Sequence, residues 1–243
     1  MNQTTVKEFL RFTTVPRLSA RTPGFPYFSL AAVRADIETH GQTAAPATVA
    51  RYLHELGNEG ILFTAGRGWY STLRDPFLLD REPVRGLIES LEHQFPLLDF
   101  SCWSTAQIVP FSHHQLARFV TFVHVERDAM ETVADALRQA GGPTYINPTQ
   151  AEVGKNVQLS DGVIIIRPAI SRAPVDGKYA TIEKILVDLH VEAGDLRLMD
   201  EAEHRRILSN AVSQGRINVS ALLSYASERR RVPAEEWFSG PIN

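Results

Sequence analysis

Residues 46–72, PATVARYLHELGNEGILFTAGRGWYST, constrain what this chain can fold into more than any other stretch. Val49, Tyr52, Leu53 and Leu56 recur at i, i+3, i+4 and i+7, the spacing of one apolar helix face. Pro46 suits the first helical position, where its missing N–H would have no partner anyway. Ala47, Arg51, His54 and Asn58 project away from the apolar stripe. Gly60 ends the helix, and Ile61-Leu62-Phe63-Thr64 reads as a strand. Gly66-Arg67-Gly68 supplies a tight turn that tolerates positive φ, and Trp69-Tyr70-Ser71-Thr72 returns as a second strand. A helix leading into a two-stranded ribbon with a basic tip is the outline of a winged helix-turn-helix domain. Such a helix lies in a DNA major groove while the ribbon reaches backbone or minor groove. Thr48, Arg51, His54, Asn58 and Arg67 are therefore the candidate DNA-binding residues of this segment. Two alternatives remain open on these residues: an ordinary small α+β domain, and a wing that docks protein.

Charge adds little weight to the DNA reading. Residues 1–75 hold eight Lys and Arg against six Asp and Glu, and the whole chain carries a formal net charge of −3. That is a weak electrostatic footprint, so a lone monomer should bind DNA poorly at physiological salt, and a homodimer is compatible with it. Residues 196–231 are more basic, with seven arginines against four acids, and end in Arg229-Arg230-Arg231. Cations suit the negative end of a helix, so a solvated helix terminus explains the run; a second nucleic-acid surface using Arg229 and Arg230 is the sharper reading.

At 243 residues the natural division is into two domains. The spacing predicts a winged helix-turn-helix domain over 1–75 and an α/β domain over 83–240, joined by a charged, proline-bearing linker. In the first part, Val6, Phe9 and Leu10 start a helix, residues 16–26 read as an irregular connection, and Ser29 caps a helix carrying Leu30, Val33 and Ile37. In the second, Val84, Leu87, Ile88 and Leu91 mark a helix, and residues 119–125 form a near-continuous apolar run suited to a strand covered on both faces. Strands alternating with helices predict a largely parallel or mixed sheet, and the chain turns helical from Thr181 onward. The single cysteine, Cys102, excludes an intramolecular disulfide framework. No apolar run reaches membrane-spanning length, and MNQTTVKEFLRF lacks the pattern of a signal peptide, so the expectation is a cytoplasmic protein with no membrane partner.

Signatures of catalysis mostly fail. Gly154-Lys155-Asn156 lacks the leading glycine and hydroxyl of a phosphate-binding loop, and no dinucleotide glycine fingerprint follows a strand. Asp161 and Glu183, with Asp188, suggest a winged-helix-targeted nuclease or nucleotide-processing enzyme only if the three carboxylates converge. Lys184 is adjacent to Glu183 rather than two residues past it, which weakens that alternative. His113-His114 diverge as neighbours do, His124 reads as a core or edge histidine, and Cys102 reads as a buried, inert thiol. Glu183 suits a helix start, and Asp188 flanks an apolar stripe. No enzyme, cofactor or metal is expected.

The chain resembles the AbiE-type antitoxins of bacterial abortive-infection and toxin–antitoxin systems. The resemblance rests on Gly66-Arg67-Gly68-Trp69-Tyr70, Cys102-Trp103-Ser104-Thr105, Arg118-Phe119 and Val125-Glu126-Arg127-Asp128, on the Glu183…Asp188 helix, and on Tyr225-Ala226-Ser227 with Arg229. It implies an N-terminal domain that binds double-stranded DNA at its own operator and a C-terminal domain that counters a nucleotidyltransferase toxin, without a stable complex. The long 16–26 connection and the acidic balance depart from the basic surface such a protein would carry.

Overall fold

The computed structural model describes residues 5–113, 118–229 and 232–239. In chain order the elements are α1 (Val6–Phe9), a π-helical turn (Leu10–Thr14), α2 (Val15–Ala20), β1 (Tyr27–Ser29), α3 (Leu30–Thr39), α4 (Pro46–Asn58), β2 (Phe63–Thr64) and β3 (Trp69–Ser71). They continue with α5 (Glu82–Gln94), β4 (Phe100–Ser104), β5 (Val120–Val125), α6 (Met130–Gln139), β6 (Thr144–Ile146), β7 (Val163–Pro168), β8 (Val175–Asp176) and β9 (Tyr179–Ala180). The remaining helices are α7 (Ile182–Asp195), α8 (Glu201–Gln214), α9 (Val219–Glu228) and α10 (Ala234–Ser239). The class is mixed α+β. Among the described residues no helix is long and apolar enough to cross a membrane.

Two compact units divide the chain, and their boundaries are not contiguous in sequence. The first comprises residues 1–77, 209–224 and 233–243; the second comprises 78–208 and 225–232. A single cut between 75 and 83 therefore misses two late segments that close the first unit. Their side chains explain why. The Tyr27 hydroxyl lies 3.0 Å from the carbonyls of both Val212 and Gly215 and accepts the Ile217 N–H. Phe238 packs edge-on against Phe25, Tyr27 and Trp69, with centroids 5.7–5.9 Å apart. None of these contacts has a local sequence signal.

In the first unit, β3 lies between β1 and β2 in an antiparallel sheet, with Phe28 opposite Tyr70 and Thr64 opposite Tyr70 on the other side. Val49, Leu53 and Leu56 on α4 are fully buried and join Leu10, Val15, Phe28, Val33, Ile37 and Leu62 in one core. Burial of each large aliphatic there stabilises by about 1.5–3 kcal/mol. Residues 16–26 are less irregular than their composition predicts: Pro16 sits in the first turn of α2, where proline needs no N–H partner. Ser29 caps α3 as its position suggests, accepting the Ala32 N–H at 3.1 Å.

The second unit is built on a six-stranded mixed sheet in the order β6-β7-β5-β4-β9-β8. β5 runs antiparallel to β4 and parallel to β7. Side chains alternate across it. One face takes Phe100, Cys102, Val123, Val125 and Ile166 into a core with Val84, Ile88 and Leu91 of α5 and Val133, Ala134 and Leu137 of α6. By the same alternation Ser101, Trp103, Phe122, His124, Ile165 and Arg167 belong to the opposite face. There Trp103 and Phe122, paired in register, stack with centroids 4.3 Å apart. Helix α7 differs most from its sequence reading. Its residues 182–189 are all buried, so Glu183, Lys184 and Asp188 lie inside the protein, beyond the apolar stripe that periodicity marks.

Candidate functional site

Helix α4 carries the polar side that the sequence predicts. Arg51, His54 and Asn58 are exposed and Thr48 is half-buried, and helical spacing sets the four along one side of the helix. The Arg51 guanidinium lies 3.2 Å from Glu55 and 4.7 Å above the Tyr52 ring. Glu55 and Glu59 are held by Lys7, at 2.9 and 2.8 Å, and Glu59 also by Arg11 at 2.9 Å. Hydrogen bonds from Lys7 keep both carboxyls below the usual carboxylate range. Two acids therefore share this side of α4 with the candidate contacts, and basic partners already cover them.

The ribbon turn after β2 closes through Trp69 N–H to the Gly66 carbonyl at 3.1 Å and Ala65 N–H to the Trp69 carbonyl at 2.9 Å. Gly66 and Gly68 adopt φ of +96° and +74°, which side-chain-bearing residues resist. Gly66 is required twice over: a Cβ there would come within 2.2 Å of Asn218 Oδ1 and 2.4 Å of Ser220 Oγ. The exposed Arg67 thus stands on a turn whose backbone N–H donates to Ser220 Oγ at 3.0 Å.

Arg229 departs from the sequence reading. It belongs to the second unit, with a side chain only 12% exposed, its Nε 3.3 Å from Asp188 and its Nη2 3.6 Å from Glu192. A phosphate contact would require it to leave two buried carboxylates, so its place among DNA-binding residues is withdrawn. Arg230 and Arg231 lie outside the described residues, as does His114. Of the nuclease candidates, Asp161 accepts the Phe119 N–H at 2.8 Å, while Asp188 is enclosed by cations. Among the described residues no three His, Cys, Asp or Glu side chains form a group that could hold a metal ion. Cys102 is fully buried, and burial pushes its thiol pKa well up, away from thiolate chemistry.

The sequence reading missed a buried ionic network around α7. Lys184, Asp188 and Glu192 recur every four residues, so they share one flank of the helix. Register sets Ser101 beside His124 and His124 beside Arg167 in a row across β4, β5 and β7. Lys184 donates to Asp188 and, at 3.2 Å, to the Tyr225 hydroxyl, which itself donates to Asp188 at 2.8 Å. Arg167 grips Glu192 through two nitrogens. Burial alone would raise the Asp188 carboxyl, yet the Lys184 and Arg229 charges and the Lys184 hydrogen bond outweigh it and bring the pKa to about 2. Burial, opposed by Asp188, depresses Lys184; burial and the Lys184 charge hold His124 neutral. The readable signal was the four-residue polar period inside an otherwise apolar helix. Four residues that carry the resemblance or lie within its segments, Lys184, Asp188, Tyr225 and Arg229, meet in this network.

No curated protein matches the chain. The RV2827C protein from Mycobacterium tuberculosis is a similar solved structure at 12% identity, covering 93% of this chain and 83% of its own, with a TM-score of 0.27. The chain belongs to the Family of unknown function (DUF6577), whose model matches residues 48–238.

Proposed function

We propose that the protein is a DNA-binding regulator of the antitoxin type, its first unit a winged helix-turn-helix that represses its own operon. The observation that carries this reading is the solvent-facing set Arg51, His54 and Asn58 on α4, in a unit whose ribbon presents an exposed Arg67 on a braced turn. Such side chains suit base edges and phosphates respectively, the helix giving sequence preference and the arginine giving affinity. The second unit is then the part that counters a nucleotidyltransferase toxin, a role that comes from the resemblance alone. It needs no catalysis of its own. A nuclease built on Asp161, Glu183 and Asp188 has little to support it, since Asp188 is already neutralised.

Gel-shift titration of the full chain against DNA upstream of its own gene tests the reading. Retardation that weakens steeply with salt is expected. Absence of retardation at low salt would end the operator proposal. Co-expression with a nucleotidyltransferase toxin of the AbiE type tests the toxin half separately, by restoration of growth.

A further inference from the structure

On the polar face of the second unit's sheet lies a cleft of about 440 Å³ whose lining includes His124, Lys184, Ser101, Phe100, Ile170 and Arg172. His124 and Lys184 are 2% and 1% exposed, so they form its floor rather than its rim. Among the described residues neither ring nitrogen of His124 has a hydrogen-bond partner; Nε2 lies 3.4 Å from Asp188 without the geometry of a bond. A buried imidazole in that state is costly, and a structural role alone gives no reason to keep it. Lys184 is also incompletely used. Its ammonium has three hydrogens, of which, among the described residues, Asp188 and Tyr225 take two.

Charge points the same way. Among the described residues, three cations, Lys184, Arg167 and Arg229, are paired with two carboxylates, Asp188 and Glu192, so cations outnumber acids by one within this set of ion pairs. At the mouth, Asp99 is matched by Lys178 at 3.2 Å, and Glu126 and Arg172 both line the opening. The excess therefore remains at the floor, where low dielectric makes an unbalanced charge expensive and an incoming anion favourable.

We propose that this cleft binds a phosphoryl group, with the free donor of Lys184 and the His124 imidazole as its floor contacts. Ser101, beside His124 in register, and Arg172 also line the cleft and bring further donors of the kind an oxyanion accepts from. Ala169, Ile170 and Ala173 give apolar wall for an organic group beyond the phosphate, so inorganic phosphate and a nucleoside monophosphate are the two sources to separate. This site stands independently of DNA binding by α4.

Isothermal titration of the full chain with inorganic phosphate and, separately, with AMP, at ionic strength matched by sodium chloride, tests it. Saturable binding at one site is expected, weakened at least tenfold in His124→Leu. That variant should keep or raise the thermal midpoint of the ligand-free protein, because it removes an unpartnered polar ring; Lys184→Met is less useful, since it strips Asp188. Tighter binding of AMP would assign the ligand to nucleotides, and equal binding would assign it to the phosphate alone. No heat above the chloride control, unchanged affinity in a folded His124→Leu, or succinate binding as well as phosphate would each overturn the proposal.

Discussion

Two helices carry an ion pair at the same i, i+4 spacing. On α4, Arg51 meets Glu55 with side chains 62% and 32% exposed; on α7, Lys184 meets Asp188 with 1% and 0% exposed. Local geometry is shared and surroundings are not. In water the first pair gains little, because solvent screens it and two long side chains lose freedom to make it. Inside, the second pair cannot be traded for hydration, so each partner depends on the other. An Arg on α4 stays free to exchange Glu55 for a phosphate. Asp188 has no such freedom, and neither has Arg229. Identical sequence patterns thus yield an adaptable surface in one unit and a fixed interior in the other.

The largest test of that contrast is Asp188→Asn. It removes the carboxylate beneath Lys184, Tyr225 and Arg229 and should lower the unfolding free energy by about 3–5 kcal/mol in urea titration. A loss below 1 kcal/mol, on the order of a surface pair, would erase the distinction. Next comes pH. Burial lowers the pKa of His204, an interior residue of α8, from 6.5 to about 4, so the unfolded chain binds the extra proton first. The associated stability is full above pH 6.5 and is lost as pH falls toward 4, amounting to about 3 kcal/mol. His204→Phe should flatten that part of the stability–pH curve.

Smaller effects belong to the exposed side. Asn58→Ala should relax sequence preference at its position by roughly 1–3 kcal/mol of discrimination, read by competition gel shifts. Arg67→Ala should weaken binding to all sequences alike and reduce the salt slope by about one. Smallest of all, Glu55→Gln should leave the urea midpoint unchanged within experimental scatter. A shift comparable to that of Asp188→Asn would break the comparison from its other end.

How far the sequence reveals this molecule follows the range of the interactions involved. The stripe of Val49, Leu53 and Leu56 sits where its periodicity predicts, and the run at 119–125 supplies β5, because both signals repeat within one element. β1 was not legible: three residues after a Pro- and Gly-bearing stretch become a strand only by pairing with β3, more than forty positions away. The network around α7 was half legible. The Lys184, Asp188, Glu192 period is visible, but that a sheet row ending in Arg167 faces it depends on strand register, which no local pattern fixes. Arg229 shows the cost of reading charge without burial, since a basic run suggests solvent until two carboxylates are found beside one of its members.

The late return of residues 209–224 and 233–243 to the first unit has a consequence for how the protein is made. A ribosome that has finished residue 77 has not yet produced the carbonyls that meet Tyr27 or the ring that caps Phe25 and Trp69. The nascent N-terminal segment must wait through the synthesis of more than a hundred intervening residues before its last apolar surface is covered. An expression fragment that stops near residue 75 would hold the helix and ribbon of the proposed DNA contact but leave that surface open, and aggregation of such a fragment is the outcome to plan for.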